Sequence, residues 1–205
     1  ALRPLPRHGD LGADRMATGR GAAAGSCAVT VRVICLHGPE STGKSTLATA
    51  LAAQLNAPLV EEYGRLWCEE HGAHTLMVDL VEIAAEHHRR ISAARHAAET
   101  AGQDWLILDT DPVMTAVWAQ MLYDAQDPAF ANLQSPADLY LVPDIDLPWV
   151  ADGLRYLGEA DTRRRFMDVS IAELDRRALP YALVQGSGPA RTATAMSAIQ
   201  ARFSA

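Results

Sequence analysis

At 205 residues the chain has the size of one ordinary domain, long enough to bury a sizeable core. Its formal net charge of −7 argues against a broad nucleic-acid or membrane surface, because either needs a basic face to neutralise phosphates, and no apolar stretch approaches the roughly 18 residues of a membrane span. Cys27, Cys35 and Cys68 are an odd set without C-x-x-C spacing, which suggests neither a disulfide framework nor a zinc site and fits a reducing cytosol.

The first 28 residues carry Arg, Pro, Gly and Ala without helical or strand periodicity and read as a disordered tail. A transit peptide would share the Arg and Ala content, but Asp10, Asp14 and the lack of an amphipathic stripe count against it. The folded domain is expected over 29–205.

A largely apolar, β-branched strand, Val31-Arg32-Val33-Ile34-Cys35-Leu36, runs into Gly38-Pro39-Glu40-Ser41-Thr42-Gly43-Lys44-Ser45, a complete G-x-x-x-x-G-K-S loop. Glycine lets the backbone turn tightly and bring its N–H groups to phosphate oxygens. Lys44 supplies a point charge for the β- and γ-phosphates, and the Ser45 hydroxyl is a ligand for Mg²⁺. A helix from Lys44 to Leu55 then presents its positive end to the same anion. Gly38, Glu40, Ser41, Thr42, Gly43, Lys44, Ser45 and Thr46 are therefore the expected nucleotide-binding set.

Residues 57–61 form a short second strand whose end gathers Glu62, Tyr63, Gly64 and Arg65. Leu80, Ile83, Ala84, His87 and Ile91 recur at three- and four-residue spacing and predict a helix from about 78 to 100. His87, His88 and His96, with His71 and His74 before the helix, lack carboxylate or cysteine company and read as surface or half-buried residues. Residues 104–109 are an apolar strand closed by Asp109, and Pro112 opens a helix to about Tyr123. Residues 139–143 and 181–185 supply two more buried strands, with a helix over about 162–179 between them. Alternating strands and helices predict an α/β fold of the P-loop NTPase type, with a five-stranded parallel sheet, helices on both faces, and polar clusters at the carboxyl ends of the strands.

Asp109 ends its strand where P-loop enzymes place an acid of the Mg²⁺ shell. Asp111, directly before Pro112, fits either a helix N-cap or a catalytic carboxylate. Glu62 can face an acceptor over the sheet and take the proton of an attacking hydroxyl, a role for which Asp111 is the rival. Arg155, Arg163, Arg164 and Arg165 are the one dense basic cluster and suit a lid over transferring phosphate, although a solvated helix face explains part of it equally well. Trp149, beside Asp144, Asp146 and Asp152, either stacks on a planar ring or packs in the core.

Gly-Pro-Glu-Ser-Thr-Gly-Lys-Ser-Thr-Leu (38–47), Glu62-Tyr63-Gly64-Arg65, Asp109-Thr110-Asp111 and Trp149-Val150-Ala151-Asp152-Gly153-Leu154-Arg155, with Arg163 and Phe166 beyond, resemble the ribosylnicotinamide kinase domain of the bacterial NAD-biosynthesis regulator. The likeness runs from about residue 30 to the C-terminus and does not extend to the regulator's helix-turn-helix and adenylyltransferase domains, so DNA regulation and the second step of NAD synthesis are not implied. The resemblance implies ATP- and Mg²⁺-dependent phosphorylation of the 5′-hydroxyl of nicotinamide riboside or a related nucleoside. It makes Tyr63 and Trp149 candidates for stacking on the nicotinamide ring. Glu62, Asp111 and Asp152 become candidates for binding or deprotonating the ribose, and Arg155 and Arg163 candidate phosphate contacts.

Overall fold

The structure, a computed structural model, describes residues 30–132, 137–151, 157 and 159–204. The expected N-terminal tail, Asp152 and Arg155 lie outside the described residues. The chain order is β1 (Arg32–Leu36), α1 (Lys44–Leu55), β2 (Leu59–Val60), α2 (Tyr63–His71), α3 (Met77–Thr100), β3 (Trp105–Asp109), α4 (Pro112–Tyr123), a 3₁₀ turn (Pro128–Asn132), β4 (Leu139–Pro143), α5 (Ala160–Arg176), β5 (Tyr181–Val184) and α6 (Gly188–Phe203). Helices α2 and α6 and the 3₁₀ turn are not anticipated by the sequence, and the other elements fall within two or three residues of their expected bounds. Among the described residues no helix is long and apolar enough to cross a membrane.

The five strands pair in parallel in the order β2-β3-β1-β4-β5. Their near-continuous apolar runs are explained by burial on both faces, and the period-two alternation divides each run between two cores. Val33, Cys35, Leu106, Leu108, Tyr140 and Val142 face α3, α4 and α5, where Ile91, Val113, Met167 and Leu174 complete the layer. Ile34, Leu36, Ile107, Leu139, Leu141 and Val184 face the opposite way, onto Leu47, Ala48 and Leu51 of α1 and Ala195 and Ile199 of α6. Each such fully buried aliphatic side chain contributes about 1.5–3 kcal/mol relative to exposure.

Chain direction over the sheet reverses at β1. The crossover from β1 proceeds toward β3 and β2, whereas β3 connects back across β1 to β4 and β5. Leu36 sits in register with Asp109 on one side and Leu141 on the other. The strand ends of β1, β3 and β4 are thus level, and the crevice beyond them is where an open α/β sheet binds its ligand.

Candidate active site

Gly38 and Gly43 occupy left-handed backbone, with φ of 115° and 79°. A Cβ at Gly43 would stand 3.3 Å from Leu147 Cδ1 as well, so both conformation and space require glycine there. Gly43 is also the N-cap of α1 and provides no side-chain cap, which leaves the first-turn N–H groups available to an anion. Thr42 donates its hydroxyl to Pro39 O at 2.9 Å, and Lys44 Nζ donates to the same carbonyl at 2.8 Å. The lysine is thereby held across the loop that it serves.

The loop opens into a cleft of about 1110 Å³, counting the space at its mouth. Gly38, Glu40, Ser41, Gly43, Lys44, Ser45 and Thr46 line one end, and Thr42 stays beneath the loop, fully buried. Glu62, the N-cap of α2, lines the same space together with Arg65 and Thr110. The rest of the cleft is bounded by α2, α3 and α4, with Leu80, Ile83, Met114 and Trp118 in its wall. A small molecule seated there would have one end at the phosphate loop and the other in a largely apolar slot, the usual composition of a ligand site.

Asp109 is 5% exposed, and its Oδ1 is buried with no hydrogen-bond partner among the described residues. An unpaired carboxylate oxygen is costly to bury. Beside a loop that carries Ser45, this orphan oxygen fits a share in a Mg²⁺ shell whose remaining ligands are water and phosphate. Among the described residues no group of three or more His, Cys, Asp or Glu side chains forms a self-sufficient metal cage, which such a shared shell does not require. Thr110 follows at φ 69°, a conformation that β-branched residues rarely adopt and that stores on the order of 1–3 kcal/mol. The kink at Thr110 separates the two carboxylates that flank it and gives them different environments.

Asp111 is fully buried and accepts from Val113 N at 3.0 Å and from the Tyr140 hydroxyl at 2.5 Å. Burial pushes its carboxyl up to about 6 despite those hydrogen bonds, and burial likewise raises the Tyr140 phenol well above its ordinary range. Of the two readings of Asp111, the geometry is that of the helix N-cap: its oxygens are engaged beneath α4, and it is not among the cleft-lining residues. Of the two rivals for the proton-accepting role, Glu62 is the one that lines the cleft.

The aromatic pair is also placed differently from expectation. Tyr63 packs with Trp67, Leu80 and Ile83, and its ring is covered by the Arg90 guanidinium at 4.3 Å. Trp149 faces the Arg163 guanidinium at 5.9 Å. Neither ring lines the cleft, where Trp118 and Met114 stand instead. Arg163 is 9% exposed and donates to Leu147 O at 3.2 Å, and burial depresses its pKa. It supports the segment leading to Trp149 from below. That segment is tied to the phosphate loop, because Val150 N donates to Ser41 Oγ at 2.8 Å.

Two residues with no assigned part in the sequence reading belong to this region. Arg191, on α6 and 3% exposed, donates to Thr42 O in the phosphate loop, to Gly186 O at 2.5 Å and to the Asp146 carboxylate. One guanidinium fork thus joins the loop to the segments beyond β4 and β5. The signal for it is weak: a Gly188-Pro189 helix start three residues before an arginine. His87, on the apolar face expected of α3 and read as surface or half-buried, is 1% exposed and lines the cleft.

The AAA domain family matches residues 33–191. The chain is 31% identical over 162 residues to the trifunctional NAD biosynthesis/regulator protein NadR of Escherichia coli (strain K12), an alignment that covers 76% of this chain and 38% of that protein. Its fold is similar to a crystal structure of NadR in complex with NR, with a TM-score of 0.68, 23% identity, and coverage of 86% of this chain and 50% of the other. A structure of NadR with NAD and AMP-PNP gives a TM-score of 0.67 at 24% identity, over the same shares of the two chains. The chain therefore spans 38% of the curated relative and half of the solved ones.

Proposed function

The chain belongs to the AAA-domain family, and on that premise we propose that it is a kinase that transfers the γ-phosphoryl group of ATP to the 5′-hydroxyl of nicotinamide riboside. The observation that carries this reading is the continuity of the cleft: the phosphate loop, Glu62 and an apolar slot between helices line one space. A switch or a simple hydrolase needs the loop but has no use for the slot. The matching NadR structures, with NR in one and AMP-PNP in another, support the choice of acceptor and donor.

In this reading the loop N–H groups and Lys44 hold the triphosphate in line with the acceptor. Glu62 accepts the proton of the 5′-hydroxyl as its oxygen bonds to the γ-phosphorus and the bond to the β-phosphate oxygen breaks, releasing ADP. Ser45 and Asp109 would hold Mg²⁺, which when bound neutralises charge on the phosphate oxygens. Arg191 keeps the loop in its phosphate-ready shape from behind. The chemistry favours a cytosolic setting, where both ATP and a reduced Cys68 are maintained.

A second acceptor is favoured by one observation. Tyr63 and Trp149, the rings that the resemblance implicates in nicotinamide stacking, are covered by Arg90 and Arg163, so a different nucleoside could occupy the slot against Trp118. Purified protein with ATP and Mg²⁺ against a nucleoside panel separates the cases. Formation of ADP and nicotinamide mononucleotide in equal amounts is the expected result. Turnover of thymidine or deoxycytidine with none of nicotinamide riboside would overturn the acceptor, and ATP hydrolysis indifferent to every nucleoside would overturn the kinase.

A further inference from the structure

Seven glycines fall among the described residues, and six of them hold φ between 50° and 115°, where the backbone itself calls for glycine. Gly64 is the exception. It stands in the first turn of α2 on helical backbone, and a Cβ built there would meet Ile83 Cγ2 at 3.7 Å, an ordinary van der Waals contact. Alanine therefore fits between α2 and α3. Glycine is the weaker helix former of the two, because it loses more backbone freedom on folding. Neither conformation nor packing within the protein accounts for the missing side chain.

Gly64 lines the cleft, as do Glu62 and Arg65 to either side of it and Ile83 on α3, whereas Tyr63 turns into the packing with Trp67 and Leu80. The room that a Cβ would take is thus cleft space beside Ile83. The strand before α2 fixes the level. Val60 of β2 pairs with Leu108 of β3, one residue short of Asp109, and Asp109 is in register with Leu36, two residues before the phosphate loop. Helix α2 accordingly starts at the carboxyl edge of the sheet, where the phosphate loop also stands, and Gly64 follows the N-cap Glu62 by two residues.

We propose that Gly64 determines acceptor specificity by letting the sugar of the bound nucleoside lie against the backbone of α2, in the space that a Cβ would fill. The inference rests on the kinase reading, with Glu62 as proton acceptor, and adds to it the wall on which the sugar rests. A 5′-hydroxyl within hydrogen-bond reach of Glu62, about 2.6–3.2 Å, brings the pentose, one carbon away, to the wall next to that carboxylate. Close approach of backbone to ligand is one of the uses that offset the cost of glycine. A methyl group at this position would overlap the sugar and spare the nucleotide site, since no atom of the phosphate loop comes within 4 Å of the Cβ position.

The test compares wild type and Gly64→Ala with ATP, Mg²⁺ and nicotinamide riboside. Gly64→Ala should raise KM for nicotinamide riboside by about fivefold to a hundredfold while KM for ATP stays within about twofold. The same substitution should raise the unfolding midpoint of the ligand-free protein by about 1–4 °C, because alanine loses less freedom in the helix. In thermal-shift measurements nicotinamide riboside should stabilise Gly64→Ala less than wild type, and AMP-PNP should stabilise both equally. A glycine kept only for structure would not yield a more stable variant that binds its acceptor worse. An unchanged KM for the acceptor, or equal losses for acceptor and ATP, would overturn the assignment, and so would a lowered midpoint, which would make the glycine a packing requirement. Failure of the kinase reading shows separately, in wild type. If wild type phosphorylates another nucleoside and no nicotinamide riboside, Gly64 is judged on that nucleoside, where an unchanged KM in Gly64→Ala overturns its role and a raised one preserves it. If wild type phosphorylates no nucleoside, the kinase reading and the sugar wall fall together.

Discussion

Acid should loosen this domain through His37, and substituting Phe at that position should remove the effect. His37 follows β1 directly, is fully buried against the Tyr140 ring at 5.6 Å, and among the described residues neither ring nitrogen makes a well-formed hydrogen bond, the Ser170 backbone offering only a weak one. Burial first, then the Lys44 charge, holds its pKa down to about 3; Arg177 acts in the same direction, and the Ser170 backbone and Glu173 only partly oppose them. The folded value lies below the unfolded one, so the unfolded chain binds protons first and stability falls as pH drops from about 6.5 toward 3. At pH 5 only the unfolded state is protonated at this site, a loss of about 2 kcal/mol relative to pH 7.5. His87, with a folded value of about 4, adds about 2 kcal/mol in the same direction. Asp111, raised to about 6, opposes them by about 1.4 kcal/mol, because its burial penalty eases as it is protonated. The net expectation is a wild-type loss of roughly 2–3 kcal/mol between pH 7.5 and pH 5. His37→Phe keeps the ring packing on Tyr140, leaves the His37 N to Leu141 O hydrogen bond to the backbone, and has no proton to take up. Urea unfolding of both proteins at the two pH values should show the variant losing about 2 kcal/mol less than wild type. Identical losses in the two proteins would refute the assignment of acid sensitivity to this ring.

Arg191→Ala should cost about 2 kcal/mol in denaturant unfolding, since Thr42 O and Gly186 O lose their donor; the Asp146 ion pair adds little because that carboxylate is 34% exposed. The same variant should raise KM for ATP more than for the acceptor, and Arg191→Lys should not rescue it, because one ammonium cannot replace a fork that spans three acceptors. Glu62→Gln should lower kcat by about 10²–10⁴ with little change in the unfolding midpoint. Asp111→Asn should retain turnover in whatever fraction remains folded, and a folded but inactive Asp111→Asn protein would return the proton-accepting role to Asp111.

The legible parts of the molecule are those whose requirement is local. Strand boundaries follow from apolar runs buried on both faces, and the phosphate loop follows from glycines at positive φ, a demand that one residue type meets. Helices α2 and α6 were illegible because their buried faces are too thin to create a period. Trp67 is the one buried residue of α2, and the buried face of α6 consists of Arg191, Ala195 and Ile199 within a run of Ala, Thr and Ser. The acceptor end of the cleft was illegible for a different reason. It is assembled from three helices, so no stretch of chain contains it, whereas the aromatic residues nearest the recognisable motifs, Tyr63 and Trp149, stand out in the sequence. Packing assigns those rings to Arg90 and Arg163, a pairing between segments distant in sequence. The residues that do line the slot, Leu80, Ile83 and His87 on α3 and Met114, Trp118 and Leu122 on α4, recur at intervals of three and four. That period signals a buried face without saying whether a neighbouring helix or a ligand covers it.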